Sequence, residues 1–115
     1  MASPFDQLSG ASVLDTAHVI AFAGGDFALA LDLLQDFLAT LDFHMRLLDA
    51  ALVADDWRED AHRLKGAACS IGAMRLGALA AMAEQNGIAW PDLQSQLRLE
   101  AAQVRDRASA FLAAA

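Results

Sequence analysis

The side chains best suited to nucleophilic or metal chemistry are few in this sequence: His18, His44, His62 and the single Cys69. A neutral imidazole is a nucleophile, and a reference pKa of about 6.5 leaves imidazole a substantial neutral fraction near pH 7. His62 has the neighbours that suit an anionic group. At helical spacing Arg58, Lys65, Gly66 and Cys69 stand at its i−4, i+3, i+4 and i+7 positions. Lys65 supplies a compact cation. Gly66 is unexpected there, because glycine inside a helix costs about 1 kcal/mol relative to alanine, and this sequence uses alanine freely elsewhere. Beside an exposed imidazole, a bare patch of backbone lets another protein's loop come close. The combination suits a phosphoryl group carried on histidine, although an exposed His with a nearby Lys is also what ordinary helix surface looks like. His18 and His44 lack such neighbours and are expected at surface or boundary positions.

Alanine and leucine dominate, β-branched residues are few and proline occurs only at Pro4 and Pro91, so the intrinsic preference is helical almost throughout. A short first helix can start with Ser12 as cap and run through Leu14, Ala17 and Ile20 to the stop at Gly24-Gly25. Asp26 can cap a long second helix with a stripe of Phe27, Leu31, Leu34, Phe37, Leu38, Leu41, Met45, Leu48 and Leu52. Asp55 or Asp56 can open a third helix from Trp57 to about Ser70, with a break at Gly72. A fourth runs from about Ala73 to Gln85, closed by Asn86-Gly87, and Pro91 opens a fifth that continues towards Phe111. The expected fold is all-α, an antiparallel four-helix bundle with an additional short N-terminal helix, in one domain over residues 1–115.

The phase of the third helix decides where His62 points. At about 100° per residue, Trp57, Ala61, Leu64, Ala68 and Ile71 share one stripe, which must pack inward. His62 lies about a third of a turn away and is expected to face solvent.

Composition narrows the chemistry. A net charge of −7 opposes binding to nucleic acid, whose affinity comes from clustered Lys and Arg. Neither a GxxxxGK[ST] nor a GxGxxG loop is present, so nucleotide chemistry has no visible home. Charged residues interrupt every apolar run before about 20 residues, no signal peptide is evident, and one unpaired cysteine suits a reducing compartment. The expectation is a cytoplasmic chain without a membrane partner.

The run Ala61-His62-Arg63-Leu64-Lys65-Gly66-Ala67-Ala68-Cys69-Ser70-Ile71-Gly72-Ala73, with Leu76 following, closely resembles the signature AHxLKGxAxxxGAxxL of the histidine phosphotransfer (HPt) family. The Gly-Gly-Asp before the long helix, the Asp55-Asp56-Trp57 run and the length also resemble that family. The resemblance implies that His62 is the phosphoacceptor, attacking a receiver aspartyl phosphate through Nε2, and that Lys65 helps neutralise phosphoryl oxygens. It implies that Gly66 makes room for the receiver's active-site loop, with Arg58 and Cys69 on the same docking face, although position 69 is often glycine or another small residue in the family. A family Gln or Glu that holds Nδ1 falls by spacing on Glu84, which would leave Nε2 free. Each residue also has a plainer role open to it: a solvated lysine, a small packing glycine, a contact cysteine, a surface glutamate. The implied partners are response-regulator receiver domains and the receiver of a hybrid histidine kinase. The implied protein is a monomeric phosphoryl carrier without kinase activity or a cofactor of its own, with Mg²⁺ expected on the receiver.

Two other classes compete. A bundle that docks receivers without carrying phosphate is disfavoured by the intact His62, Lys65 and Gly66. A di-metal carboxylate bundle could use Glu59-x-x-His62, but those ligands must point inward, and the phase that exposes His62 also exposes Glu59. Protein purified without chelator should therefore carry no stoichiometric iron or manganese; elemental analysis showing one metal per chain would overturn the phase argument.

Overall fold

The computed structural model describes residues 3–8, 10–85 and 88–115. Its α-helices are α1 (Thr16–Phe22), α2 (Phe27–Ala50), α3 (Arg58–Ser70), α4 (Met74–Met82) and α5 (Trp90–Ala114), with 3-10 turns at Asp6–Leu8 and Ala54–Trp57. Helices α2 to α5 form the expected bundle, and α1 packs across α2 and α3.

The helix starts follow local chemistry. Asp26 Oδ1 accepts from the Leu29 amide at 3.1 Å and caps α2, as expected. The α1 cap is Asp15, whose Oδ1 accepts from the His18 amide at 3.2 Å, and not Ser12. Ser12 cannot cap, because the segment before α1 is used elsewhere: its carbonyl accepts from the Arg75 amide at 3.0 Å and the Asp15 amide donates to the Gly72 carbonyl at 2.9 Å. This segment crosses the α3–α4 corner. Asp56 does not start α3 directly; its Oδ2 accepts from the Leu52 and Val53 amides at 3.1 and 3.4 Å and closes the 3-10 turn that precedes the helix. The expected closure of α4 at Asn86-Gly87 lies outside the described residues.

Gly72 makes the α3–α4 corner. Its φ of +86° is left-handed, and a Cβ there would collide with the Asp15 backbone, so glycine is required both by conformation and by close approach.

The core forms from Leu34, Phe37, Leu41 and Leu48 of α2, Ala61, Leu64 and Ala68 of α3, Leu76 and Leu79 of α4, and Leu93, Leu97 and Val104 of α5. The stripe expected in α3 is buried in full, Trp57 and Ile71 included. In α2 the inward stripe runs through Ala30, Leu34, Phe37, Leu41, His44 and Leu48. Phe27 is instead largely exposed and Leu52 lies beyond the helix at 87% exposure. His44, expected at a surface or boundary position, is instead buried in the core, where Asp60 of α3 accepts from its Nδ1 at 2.7 Å.

The end of α2 is closed by side chains from elsewhere. Trp57 Nε1 donates to the His44 carbonyl at 3.3 Å, Trp90 Nε1 to that of Ala51 at 3.1 Å, and Gln94 Nε2 to those of Leu48 and Ala51 at 3.1 and 3.0 Å. The donors to Leu48 and Ala51 serve carbonyls at the helix end, where intrahelical partners run out, and Trp57 adds a second bond to a carbonyl one turn further in. Ion pairs Arg98–Asp49 at 2.6 Å and Arg105–Asp42 at 2.5 Å join α5 to α2 on the surface, where such pairs contribute about 0–1 kcal/mol each. Among the described residues no single helix is long and apolar enough to cross a membrane. The α1–α2 pair passes that test jointly but is bent by 110°.

Glu100 of α5 is the least comfortable group in the core. It is 3% exposed; Oε1 lies 3.2 Å from Arg75 Nε, and Oε2 has no hydrogen-bond partner among the described residues. Burial pushes its carboxyl above the ordinary value of 4.5, opposed in part by Arg75 and Arg107. The folded state therefore binds the Glu100 proton more tightly than the unfolded chain does. Its stabilising effect is complete below pH 4.5 and is lost as pH rises through the folded-state value. Glu100→Gln should accordingly raise stability at pH 7.5 by about 1 kcal/mol, because a neutral amide of the same shape does not carry the desolvation cost of a buried carboxylate charge. The gain should shrink towards pH 4, as urea titrations at the two pH values will read.

Candidate functional site

Helix α3 presents His62 outward, its side chain 74% exposed. The turn that follows α4 brings Glu84 to it. Regular helix ends at Met82, three residues before the expected end, and the amides of Glu84 and Gln85 bond back three residues, to Ala81 and Met82, at 3.1 Å each. This tighter turn, and not a continued α-helix, aims the Glu84 carboxylate at α3.

Glu84 Oε1 lies 3.1 Å from His62 Nδ1 and Oε2 lies 3.4 Å from Lys65 Nζ. One carboxylate thus joins the imidazole to the chain's single lysine. Partial burial pushes the Glu84 carboxyl up, but the hydrogen bonds and positive charge of Lys65 and His62 outweigh it and hold the group below 4.5. An ionised carboxylate can only accept, so Nδ1 carries the hydrogen and donates. In the neutral ring Nε2 then keeps its lone pair and faces outward.

Around His62 is an open depression of about 730 Å³, lined by Asp55, Arg58, Glu59, His62, Arg63 and Glu84. Arg58 pairs with Asp55 at 2.7 Å and Arg63 with Glu59 at 2.9 Å, so both guanidinium groups are held at its rim. Glu59 is 85% exposed, as the phase of the helix requires, and does not face the bundle interior. Arg63 went unassigned in the sequence, although its i,i+4 spacing from Glu59 is a readable signal.

Gly66 is exposed one turn beyond His62, and a Cβ added there would meet nothing within 4 Å. Packing within the chain does not require glycine at this position. Ser70 Oγ donates to the Gly66 carbonyl at 2.9 Å.

Cys69 is placed differently from the other members of the face. It is half-buried, and its Sγ would lie only 2.6 Å from a Cβ at Gly77 of α4. The thiol turns into the α3–α4 seam, and Gly77 makes room for it. Gly77→Ala should therefore destabilise the fold by about 1–3 kcal/mol, the range for overpacking. Cys69→Ala in the same chain, which removes Sγ without weakening the helix, should recover most of that loss. A double-mutant cycle by chemical denaturation measures the coupling; additive effects would show that the two residues do not share the seam.

Together these observations describe an exposed imidazole with a free Nε2, a carboxylate and an ammonium behind it, and an open glycine surface beside it. Comparison with curated proteins and with solved structures returned no match. A family model described as the Hpt domain matches residues 32–107, most of the chain, including His62, Lys65, Gly66 and Glu84. The chain belongs to the Hpt domain family, whose members are histidine phosphocarrier modules of two-component phosphorelays.

Proposed function

We propose that His62 relays a phosphoryl group between receiver-domain aspartates. Its Nε2 attacks the phosphorus of an aspartyl phosphate on a docked receiver. The N–P bond forms, the acyl-phosphate O–P bond breaks, and the aspartate carboxylate leaves. Nε2 has no proton to lose, because the ring hydrogen stays on Nδ1. The phosphorylated ring then carries positive charge, which the Glu84 carboxylate at 3.1 Å is placed to stabilise. Transfer to a second receiver reverses these steps.

The observation that carries this reading is the hydrogen-bonded chain His62–Glu84–Lys65. Phosphoryl transfer passes through a loose, charge-spread state, so its catalysis is mainly positioning and charge stabilisation. Glu84 positions the ring, and Lys65, 3.4 Å from the same carboxylate, is close enough to move onto the phosphoryl oxygens. Arg58 and the open Gly66 surface receive the partner's loops. Cys69 contributes from the edge of that face by setting how closely α3 and α4 approach. Divalent-cation chemistry belongs to the receiver in this scheme, and the chain acts as a cytoplasmic monomer, a single domain over residues 1–115, with receivers of response regulators and of a hybrid kinase as partners.

Incubation with a phosphorylated receiver should give acid-labile, base-stable label on the wild-type chain and none on His62→Gln. Label persisting on that variant would refute the assignment. Gly66→Trp should slow transfer at least about tenfold while the melting temperature moves by no more than a few degrees, since the new side chain projects into open space. Transfer at the wild-type rate would exclude close approach of the receiver at Gly66.

A further inference from the structure

The buried His44–Asp60 pair has no part in the chemistry above, yet it joins α3, the helix that carries His62, to α2. His44 Nδ1 lies 2.8 Å from Asp60 Oδ1 and 2.7 Å from Oδ2, with the two residues 8% and 6% exposed. Trp57, at the start of α3 and fully buried, donates to the His44 carbonyl at 3.3 Å. Both contacts reach the same residue of α2 from the first turns of α3. Asp60 precedes His62 by two residues and points to the opposite side of the helix, so the pair does not touch the imidazole.

Among the described residues the His62 ring is held by one carboxylate, that of Glu84 in the turn after α4. That hydrogen bond is 3.1 Å long, near the upper end of the useful range. Side chains reach about 5–6 Å from a helix axis, so rotating α3 by about 10° carries the ring by about 1 Å, enough to break the contact. On the buried face of α3 the large anchors Trp57, Leu64 and Ile71 are separated by Ala61 and Ala68, whose single methyl groups give the middle of the helix no directional contact. A directional, buried hydrogen bond to a carboxylate fixes register in a way that non-directional apolar contacts do not.

We infer that His44 and Asp60 are positioning residues for His62: their clamp sets the rotation of α3 that brings Nδ1 onto Glu84. The clamp acts through helix orientation, so removing it should impair transfer even where folding is preserved. The kinetic part of this inference rests on His62 being the phosphoacceptor; the orientation of its ring does not.

The test compares the wild type with His44→Leu/Asp60→Leu, which replaces the buried pair by apolar groups and leaves no lone charge behind, and with Asp60→Asn, which keeps a hydrogen bond but not the charge. Long-range ¹H–¹⁵N spectra report the Nδ1-protonated fraction of His62, and receiver titrations separate transfer rate from docking affinity. The double variant should lose most of the Nδ1-protonated form and transfer about tenfold more slowly at unchanged affinity, as expected for ring atoms displaced by about 1 Å. Asp60→Asn should lie between, about threefold down, because a charge-assisted contact is replaced by a neutral one. Wild-type ring signals and rates in the folded variants would overturn the inference, and Asp60→Asn alone decides it if the double variant does not fold. If the wild type takes no label, the relay reading fails, and the ring signals alone decide the clamp.

Discussion

The corner at Gly72 is the constraint on which the site depends. A left-handed backbone there turns the chain from α3 into α4, and the missing side chain lets the segment before α1 lie directly on the corner, with the Asp15 amide bonded to the Gly72 carbonyl. This fixes α3 and α4 side by side, with Cys69 fitted against Gly77 further along the seam. Only then can Glu84, 22 residues after His62, reach the imidazole. A residue with a Cβ at position 72 would have to displace the Asp15 backbone, and the displacement would reach α1 as well as the corner.

The opposite end of the bundle is organised by polar groups that have lost water. Trp57, Trp90 and Gln94 direct their N–H groups to carbonyls at the end of α2, and the two indoles pack with ring centroids 6.2 Å apart. Each tryptophan thereby buries a large apolar surface without leaving a donor unsatisfied. Glu100 is the contrasting case, since among the described residues one of its oxygens has no partner and its neighbour Arg75 also has an unsatisfied Nε. The bundle is thus fastened firmly where α2 ends and less well beside the α4–α5 packing.

Much of this was legible in the residues. The apolar phase of α3 placed His62 outside and Leu64 inside, because a single amphipathic helix obeys its own periodicity. The helix starts were less legible. Ser12 and Asp15 both have the chemistry of a cap, and the choice between them depends on Gly72 and Arg75, about 60 residues away. His44 was misplaced because a polar residue was given a polar position; its spacing from Leu41 and Leu48 puts it in the buried stripe, but its burial is tolerable only with Asp60 opposite. Cys69 shares a helical face with His62 by arithmetic, yet the direction of its thiol is decided by a glycine on another helix. Local pattern conveys which face a residue occupies, and pairing between helices remains hidden until the fold brings both partners together.

Gly66 separates folding from interaction in an unusual way. Because none of the described residues approaches the place where its side chain would be, alanine at this position would gain helix propensity of about 1 kcal/mol and lose no contact. A stability-guided redesign would choose this position early, and melting curves would record only improvement. Glycine at this position therefore leaves stability unused, and its benefit must be sought in what approaches the exposed backbone from outside.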